Sequence, residues 1–371
     1  MTPSPSNTPY QIRVPLSLIP QFPPRLKQVS ARLLSQQLAA PHFGDPAEVV
    51  SWFGAMQAQD YRAMRWAVAM RTRKPSYKAF KAVFDEGRIL RAHLLRGTWQ
   101  LVASDDYHWL RTLCHDKGMA VLDGWTKSLG FTYSGKEKER ILTIIEDTVG
   151  SMGEVTEDVI GEALLEGGIP KDRLVYNHQL RMAELEGLVC SGLLGPRNTY
   201  RLVRDRVPAA LPVSREESLA LLARKYFRSH GPATLEDFVW WSGLNAGECR
   251  QGIASLGDEL RPERWKGRDF YIHIDARTRG VRSGTVLLLP AYDEYLIGYK
   301  SRDIVLHPDK AHHAHNNFGI FKSVIAWDGE IVGNWKPSSK DGGVSLFKED
   351  ISIPQESMEK AIGNYHAAQK K

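Results

Sequence analysis

Apolar residues along the chain fall into blocks of helical period, each group closed by short blocks of period two. KERILTIIEDTV carries an apolar stripe and predicts a helix, GEVTEDVIGEALL predicts a turn with Thr156 capping a second helix, and NHQLRMAELEGLV predicts a third. CSGLLGPRNTYRLV then reads as two short strands around a Gly-Pro turn. The same order returns in ESLALLARKYFRSH, GPATLEDFVWWSGL, a helix around CRQGIASL and the hairpin RWKGRDFYIHI, with Thr234 in the place of Thr156. Helix, helix, helix, hairpin is the winged helix, whose third helix usually enters a DNA groove while the wing touches backbone. Winged helices also serve as protein-interaction scaffolds, so the repeat alone leaves both roles open.

A first stretch fits the plan more loosely, with RLLSQQLAA, DPAEVVSWFGAMQ and YRAMRWAVAMRTR as helices and RAHLLRGTWQLV as the hairpin. In its second block, Asp45, Pro46 and Glu48 make an N-cap, N1 and N3 arrangement, and Val49, Trp52, Phe53 and Met56 form a buried stripe. Residues 283–371 are strand-rich, and Asp328-Gly329 between alternating apolar residues signals a hairpin. The expected class is α+β. Its parts are a proline-rich extension over 1–27, winged helices over 28–130, 136–207 and 213–276, and a β-rich portion over 283–371.

The stretch MQAQD, residues 56–60, lies where the first of these patterns breaks. Residues two apart on a helix diverge by about 200°. Gln57 and Gln59 therefore address one small target only if the helix has ended and the link is extended. Glutamine is a poor acid, base or metal ligand, so a functional pair would position something. The plain alternative is a polar connector whose amides satisfy backbone groups.

Charge sharpens the picture. Residues 61–100 hold ten lysines or arginines against two acids, an excess larger than the +6 of the whole chain, so the basicity adjoins MQAQD. Such a region attracts polyphosphate, or is simply a solvated helical face. The three cysteines, Cys114, Cys190 and Cys249, form no CxxC pair and are expected as buried thiols. With no run of about eighteen apolar residues and no signal-peptide pattern, the expectation is a soluble, cytoplasmic, nucleoid-associated protein. His312, His313 and His315 lack a carboxylate or cysteine to complete a metal set, so neither metal nor cofactor is expected.

RLLSQQLAAPHFGDPAEVVSWFGAMQAQDYRAMRWAVAMR, GRILRAHLLRGTWQLVASDD, LLPAYDEYLIGYKSRD and VIAWDGEIVGNWK resemble, in matching order, blocks of the winged-helix-repeat DNA glycosylases of the AlkZ and YcaQ type. The resemblance runs from about residue 28 onward. It implies a C-shaped protein acting as a monofunctional glycosylase on N7-alkylated purines, in some members unhooking interstrand crosslinks. The family signature is Gln-apolar-Gln or Gln-apolar-Asp, and Gln57-Ala58-Gln59 matches the first, which carries the catalytic role to Gln57 and Gln59 and leaves that of Asp60 open. Gln100 stands where histidine is expected in many relatives, which puts in doubt any DNA contact there.

The chemistry suits amides. An N7-alkylguanine is already cationic and leaves as a neutral base, so the protein need only place a water beneath C1′ and accommodate an oxocarbenium-like sugar. No lysine or N-terminal amine adjoins the motif, so hydrolysis without lyase activity is expected. The partner is double-stranded DNA carrying alkylated purines, bound by a monomer.

Candidate DNA contacts are Tyr61, Arg62 and Arg65 after the link, Arg91 and Arg96 around the first wing, and Lys300 and Arg302 in AYDEYLIGYKSR. An internal salt bridge is an equal reading for Asp293, Tyr295 and Arg302. His307, His312 and His313 belong to HPDKAHHAHNNFGIF, a polar, basic loop expected to probe the groove. Trp66, Trp240 and Trp241 read as core. The rival function is a non-catalytic DNA-binding or regulatory protein, although no dimerisation helix is evident. A nuclease lacks its clustered carboxylates.

Overall fold

The computed structural model describes residues 24–175, 178–209, 211–348 and 351–371. The expected N-terminal extension lies outside these residues except for its last four, which open helix α1 (Pro24–Ser35). One order of elements then recurs three times. The first set is α2 (Pro46–Phe53), β1 (Met56–Gln57), α3 (Ala63–Ala69), α4 (Tyr77–Asp85) and the hairpin β2 (Ile89–His93) and β3 (Trp99–Ala103). After the long helix α5 (Ser104–Ser128) come α6 (Gly135–Met152), β4 (Val155–Thr156), α7 (Glu157–Glu166), α8 (His178–Leu185), β5 (Val189–Ser191) and β6 (Thr199–Leu202). The third set is α9 (Arg215–His230), α10 (Leu235–Ser242), α11 (Ala246–Ala254), β7 (Leu260–Trp265) and β8 (Arg268–His273).

Register makes the repetition specific. The first sheet has the order β1-β3-β2 and the second β4-β6-β5, so in each the short leading strand pairs with the second strand of its hairpin. In the third set this strand shrinks to a bridge between Ala233 and Tyr271 of β8. Gln57, opposite Gln100, thus occupies the position that Thr156, opposite Thr199, holds in the second set.

Capping chemistry sets the helix starts. Asp45 with Glu48, Ser134 with Glu137, Ser214 with Glu217, Thr234 with Asp237 and Asn245 with Glu248 all form reciprocal capping boxes. Thr156 does not match Thr234 in this respect. Its hydroxyl makes no cap bond, and its backbone is drawn into β4 instead.

Two readings of the first stretch are corrected. RLLSQQLAA does not supply the leading helix of the set, because α2 takes that place and α1 packs Val29 and Leu33 into the core of the C-terminal portion. YKAFKAVFD forms a helix that sequence reasoning passed over, with Phe80, Val83 and Phe84 buried.

The C-terminal portion contains β9 (Val286–Leu289), α12 (Glu294–Ile297), α13 (Ala311–Ala314), β10 (Val324–Trp327), β11 (Glu330–Asn334), β12 (Ser345–Leu346) and α14 (Gln355–Lys370). The sheet runs β12-β11-β10-β9, and the expected Asp328-Gly329 turn joins β10 to β11 with φ of 49° and 86°. The closing helix α14 is the part that the strand-rich pattern did not disclose. It packs Tyr365 edge-on to Trp66 of α3. Among the described residues no helix is long and apolar enough to cross a membrane.

A buried ion pair ties this portion to the first set. Arg71 donates to both carboxylate oxygens of Asp293, at 2.8 and 2.9 Å, and to the carbonyl of Ala67 at 2.7 Å. This decides Asp293 in favour of the internal salt bridge. Tyr295 is also internal, its hydroxyl donating to the Gly329 carbonyl at 2.8 Å. Removing one partner of a buried pair strands the other charge, so Asp293→Ala is expected to cost about 3–5 kcal/mol in denaturant unfolding. A loss below about 1 kcal/mol, the range of exposed pairs, would contradict this.

Candidate active site around Gln57

Helix α2 ends at Gly54, whose φ of 79° turns the chain out of the helix. The chain is extended at Met56–Gln57, and Gln59 follows in a bend. Three neighbours hold the backbone of the link. The Gln57 N–H donates to Glu294 Oε1 at 2.5 Å, the Ala58 N–H donates to the Trp99 carbonyl at 2.8 Å, and the Ala58 carbonyl accepts from Arg91 Nε at 3.0 Å. Asp60 then closes the link, because its Oδ1 accepts from the N–H groups of Arg62 and Ala63 at 2.8 and 2.9 Å. In this arrangement Asp60 starts α3.

The Gln57 side chain is buried, and its carbonyl oxygen is already taken. It accepts from Arg96 Nη2 at 2.9 Å and Gln100 Nε2 at 2.8 Å, with the Thr98 hydroxyl 3.4 Å away. Arg96 has only donors, which fixes the amide with oxygen inward and leaves Nε2 as the end without a partner among the described residues. Gln59 is different. It is exposed, and its amide makes no hydrogen bond among the described residues. Gln100 is buried and serves Gln57, which removes the direct DNA contact that its position had left in question.

Beneath the strand lies a carboxylate that the sequence reading did not single out. Glu294 is 2% exposed, and besides the Gln57 N–H it accepts from His230 Nε2 and Trp241 Nε1, both at 3.1 Å. Burial alone would raise its pKa. The hydrogen bond from His230, the Gln57 N–H and the Arg96 guanidinium outweigh burial, so the group is held below the ordinary carboxylate range. Burial pulls His230 below its ordinary value, and the Ser229 hydroxyl lies 2.8 Å from Nδ1, consistent with a neutral ring donating through Nε2. Arg96 makes no ion pair among the described residues, and Glu294 is the leading charge holding up a guanidinium pKa that burial lowers. One signal for Glu294 was present: two adjacent acids, Asp293-Glu294, inside an otherwise apolar block.

The predicted contacts separate into groups. Arg91 is 3% exposed, stacks on Trp99 at 3.8 Å, and spends Nε on Ala58 and Nη1 on Asn198, so it holds the link and is not free for phosphate. Burial brings its pKa down to about 10. Arg96 is likewise engaged by Gln57 and by the Trp240 carbonyl at 3.3 Å. Arg62 is exposed beside the link, Arg65 lies 5.7 Å from the Tyr61 ring, and the Tyr61 hydroxyl bonds the Gly195 N–H and Arg197 carbonyl of the second hairpin.

Trp241 is core, but Trp240, about 100° round the same helix, is 40% exposed. Trp240 is flanked by Arg96 and Arg302 at 5.8 and 5.5 Å and anchored through Nε1 to the Ile297 carbonyl at 2.9 Å. Around it lies an open depression of ≈ 470 Å³ whose walls include Arg96, Lys117, Trp240, Arg250 and Lys300 together with one acid, Glu236. Lys117 and Arg250 were not foreseen, since they stand far from the motif in sequence. Lys300 is exposed, while Arg302 is half-buried and lowered to about 10 by burial. His307 and His312 are exposed on their loop, and His313 stacks on Phe347 at 4.9 Å. Among the described residues no group of three or more metal-ligating side chains converges.

A depressed carboxylate stabilises the fold above its unfolded pKa, near 4.3 for Glu, and loses that contribution as pH falls through the lower folded value. At pH near 7, Glu294→Gln is expected to unfold about 1–3 kcal/mol more easily than wild type, with the gap closing below about pH 4 in denaturant melts. A gap that is constant or widens towards acid would mean that Glu294 is protonated at neutral pH.

The chain as a whole is similar to known DNA glycosylases. The family model described as "DNA glycosylase AlkZ-like" matches residues 50–360. An interstrand DNA cross-link repair glycosylase of Streptomyces sahachiroi is 23% identical over 348 residues, covering 90% of this chain and 94% of that protein. The solved structure of the Streptomyces sahachiroi DNA glycosylase AlkZ superimposes with a TM-score of 0.77 at 22% identity, covering 92% of this chain and 96% of that one. The chain belongs to the AlkZ-like DNA glycosylase family.

Proposed function

We propose that this protein hydrolyses the N-glycosidic bond of N7-alkylated purines in duplex DNA and unhooks interstrand crosslinks formed through such a base; the crosslink part draws on its likeness to an interstrand DNA cross-link repair glycosylase. The observation that carries the reading is the oriented amide of Gln57, two positions before the exposed and free amide of Gln59. Gln57 cannot act through its oxygen while Arg96 and Gln100 occupy it. Its outward N–H holds the water by the oxygen, and the Gln59 carbonyl accepts a hydrogen of that water and aims it at C1′. The water oxygen bonds to C1′, the bond from C1′ to N9 breaks with its electron pair going to the base, and the cationic purine leaves neutral. One proton passes to solvent.

A general base of high pKa is unnecessary here, because the leaving group is already activated. The buried anion Glu294 answers the charge of Arg96, which lets a guanidinium sit beside a cationic lesion without repelling it. Hydrolysis without β-elimination belongs to the same reading, because the link GAMQAQD itself supplies no amine for a Schiff base. The recurring sets support three tandem winged helices, the first beginning at α2 rather than at residue 28, while the C-shaped, monomeric arrangement is what the family resemblance implies. Duplex DNA would lie along Arg62, Lys117, Arg250 and Lys300, with the 307–320 loop in the groove. An open depression suits a base that its crosslink prevents from being flipped fully out.

Gln59→Ala and Gln57→Ala are each expected to lower release of 7-methylguanine from methylated duplex about a hundredfold or more, with duplex binding changed by less than about threefold. The product should be an intact abasic strand that breaks only on heating or in base. Variants that excise like wild type, or strand scission without such treatment, would contradict the reading.

A further inference from the structure

At the tip of the connection between α13 and β10, Phe318 is 92% exposed and Ile320 48%. Single apolar side chains are ordinary on protein surfaces, but this pair sits on a tip that is held in one conformation. The Asn316 side-chain oxygen accepts from the N–H groups of Phe318 and Ile320 at 3.0 and 3.1 Å, and the Asn316 N–H donates to the Ile320 carbonyl at 3.1 Å. Below them His315 and Phe321 form a bridge and stack ring on ring at 5.3 Å. Phe318 is thus presented to solvent by a braced turn.

The base of this turn is rooted in the cluster around Gln57. Arg302 lies 4.8 Å from the Phe321 ring and 5.5 Å from the Trp240 ring, and Trp240 lies 5.8 Å from Arg96, which bonds Gln57. Lys322 and His312 are exposed beside the tip, with Lys310 close by, against the one nearby acid Asp309. A projecting ring on a positively charged stalk fits the base stack of duplex DNA, where charge attracts the phosphates and the ring enters a base step. We propose that Phe318 is a wedge that opens the base step at the lesion, so that Gln57 and Gln59 reach a sugar whose base is not flipped out. The proposal rests on the glycosylase reading for its purpose, but not for its test.

The test places 2-aminopurine, which brightens on unstacking, next to 7-methylguanine in a duplex. Wild type should brighten the probe on binding. Phe318→Ala should bind undamaged duplex within about threefold of wild type, fail to brighten the probe and excise at least about tenfold more slowly, while Phe318→Trp restores both. Brightening and excision by Phe318→Ala equal to wild type would overturn the proposal. So would light scattering that shows wild type as a dimer and Phe318→Ala as a monomer, since the tip would then be a contact between copies. If wild type brightens the probe yet releases no base, the wedge stands and the glycosylase reading falls.

Discussion

Gln57 is a neutral side chain held in place by charges on both sides. The Glu294 carboxylate takes its backbone N–H, and the Arg96 guanidinium with the Gln100 amide takes its side-chain oxygen. An amide rotates freely in water and presents either end with equal ease. Here one end is committed, and the other is left for a ligand. Most of the surrounding structure is explained by what this arrangement requires.

A buried carboxylate needs donors, and Glu294 receives them from three elements: β1 through Gln57, the end of α9 through His230, and α10 through Trp241. The first and third sets and the C-terminal portion therefore meet at one oxygen pair. Next to it the Arg71–Asp293 pair clamps α12 to the segment that follows α3. Arg91 in β2 and Asp60 at the head of α3 fix the two ends of the link. The C-terminal portion is thus a wall of the site, since its acids orient a residue more than two hundred positions earlier in the chain.

What could be read from the sequence follows the range of the forces involved. Helix starts were legible because a capping box is local, as at Asp45 and Glu48, and the Asp328-Gly329 turn was legible for the same reason. The break after α2 followed from the impossibility of aiming Gln57 and Gln59 together on a helix. Long-range pairing was not legible. Arg91 looked like one more cation in a basic run, yet the fold buries it against Trp99. Trp240 looked like its neighbour Trp241, and only the packing of α10 separates them. Glu294 was hidden because nothing in AYDEYLIGYK discloses that His230, Trp241 and Gln57 converge on it. The basic region was accordingly overcounted as a phosphate surface, because Arg71 and Arg91 are interior and Arg96 is spent on the site.

In the proposed reaction the fixed amide of Gln57 and the free amide of Gln59 together direct a water molecule at C1′ of a cationic nucleotide. A direct test is single-turnover reaction of wild type with duplex carrying one 7-methylguanine, in the presence of borohydride, followed by mass analysis of both products. Free 7-methylguanine and a reduced abasic strand that carries no protein are expected. A covalent protein–DNA adduct trapped by borohydride, or no release of the base at all, would contradict this.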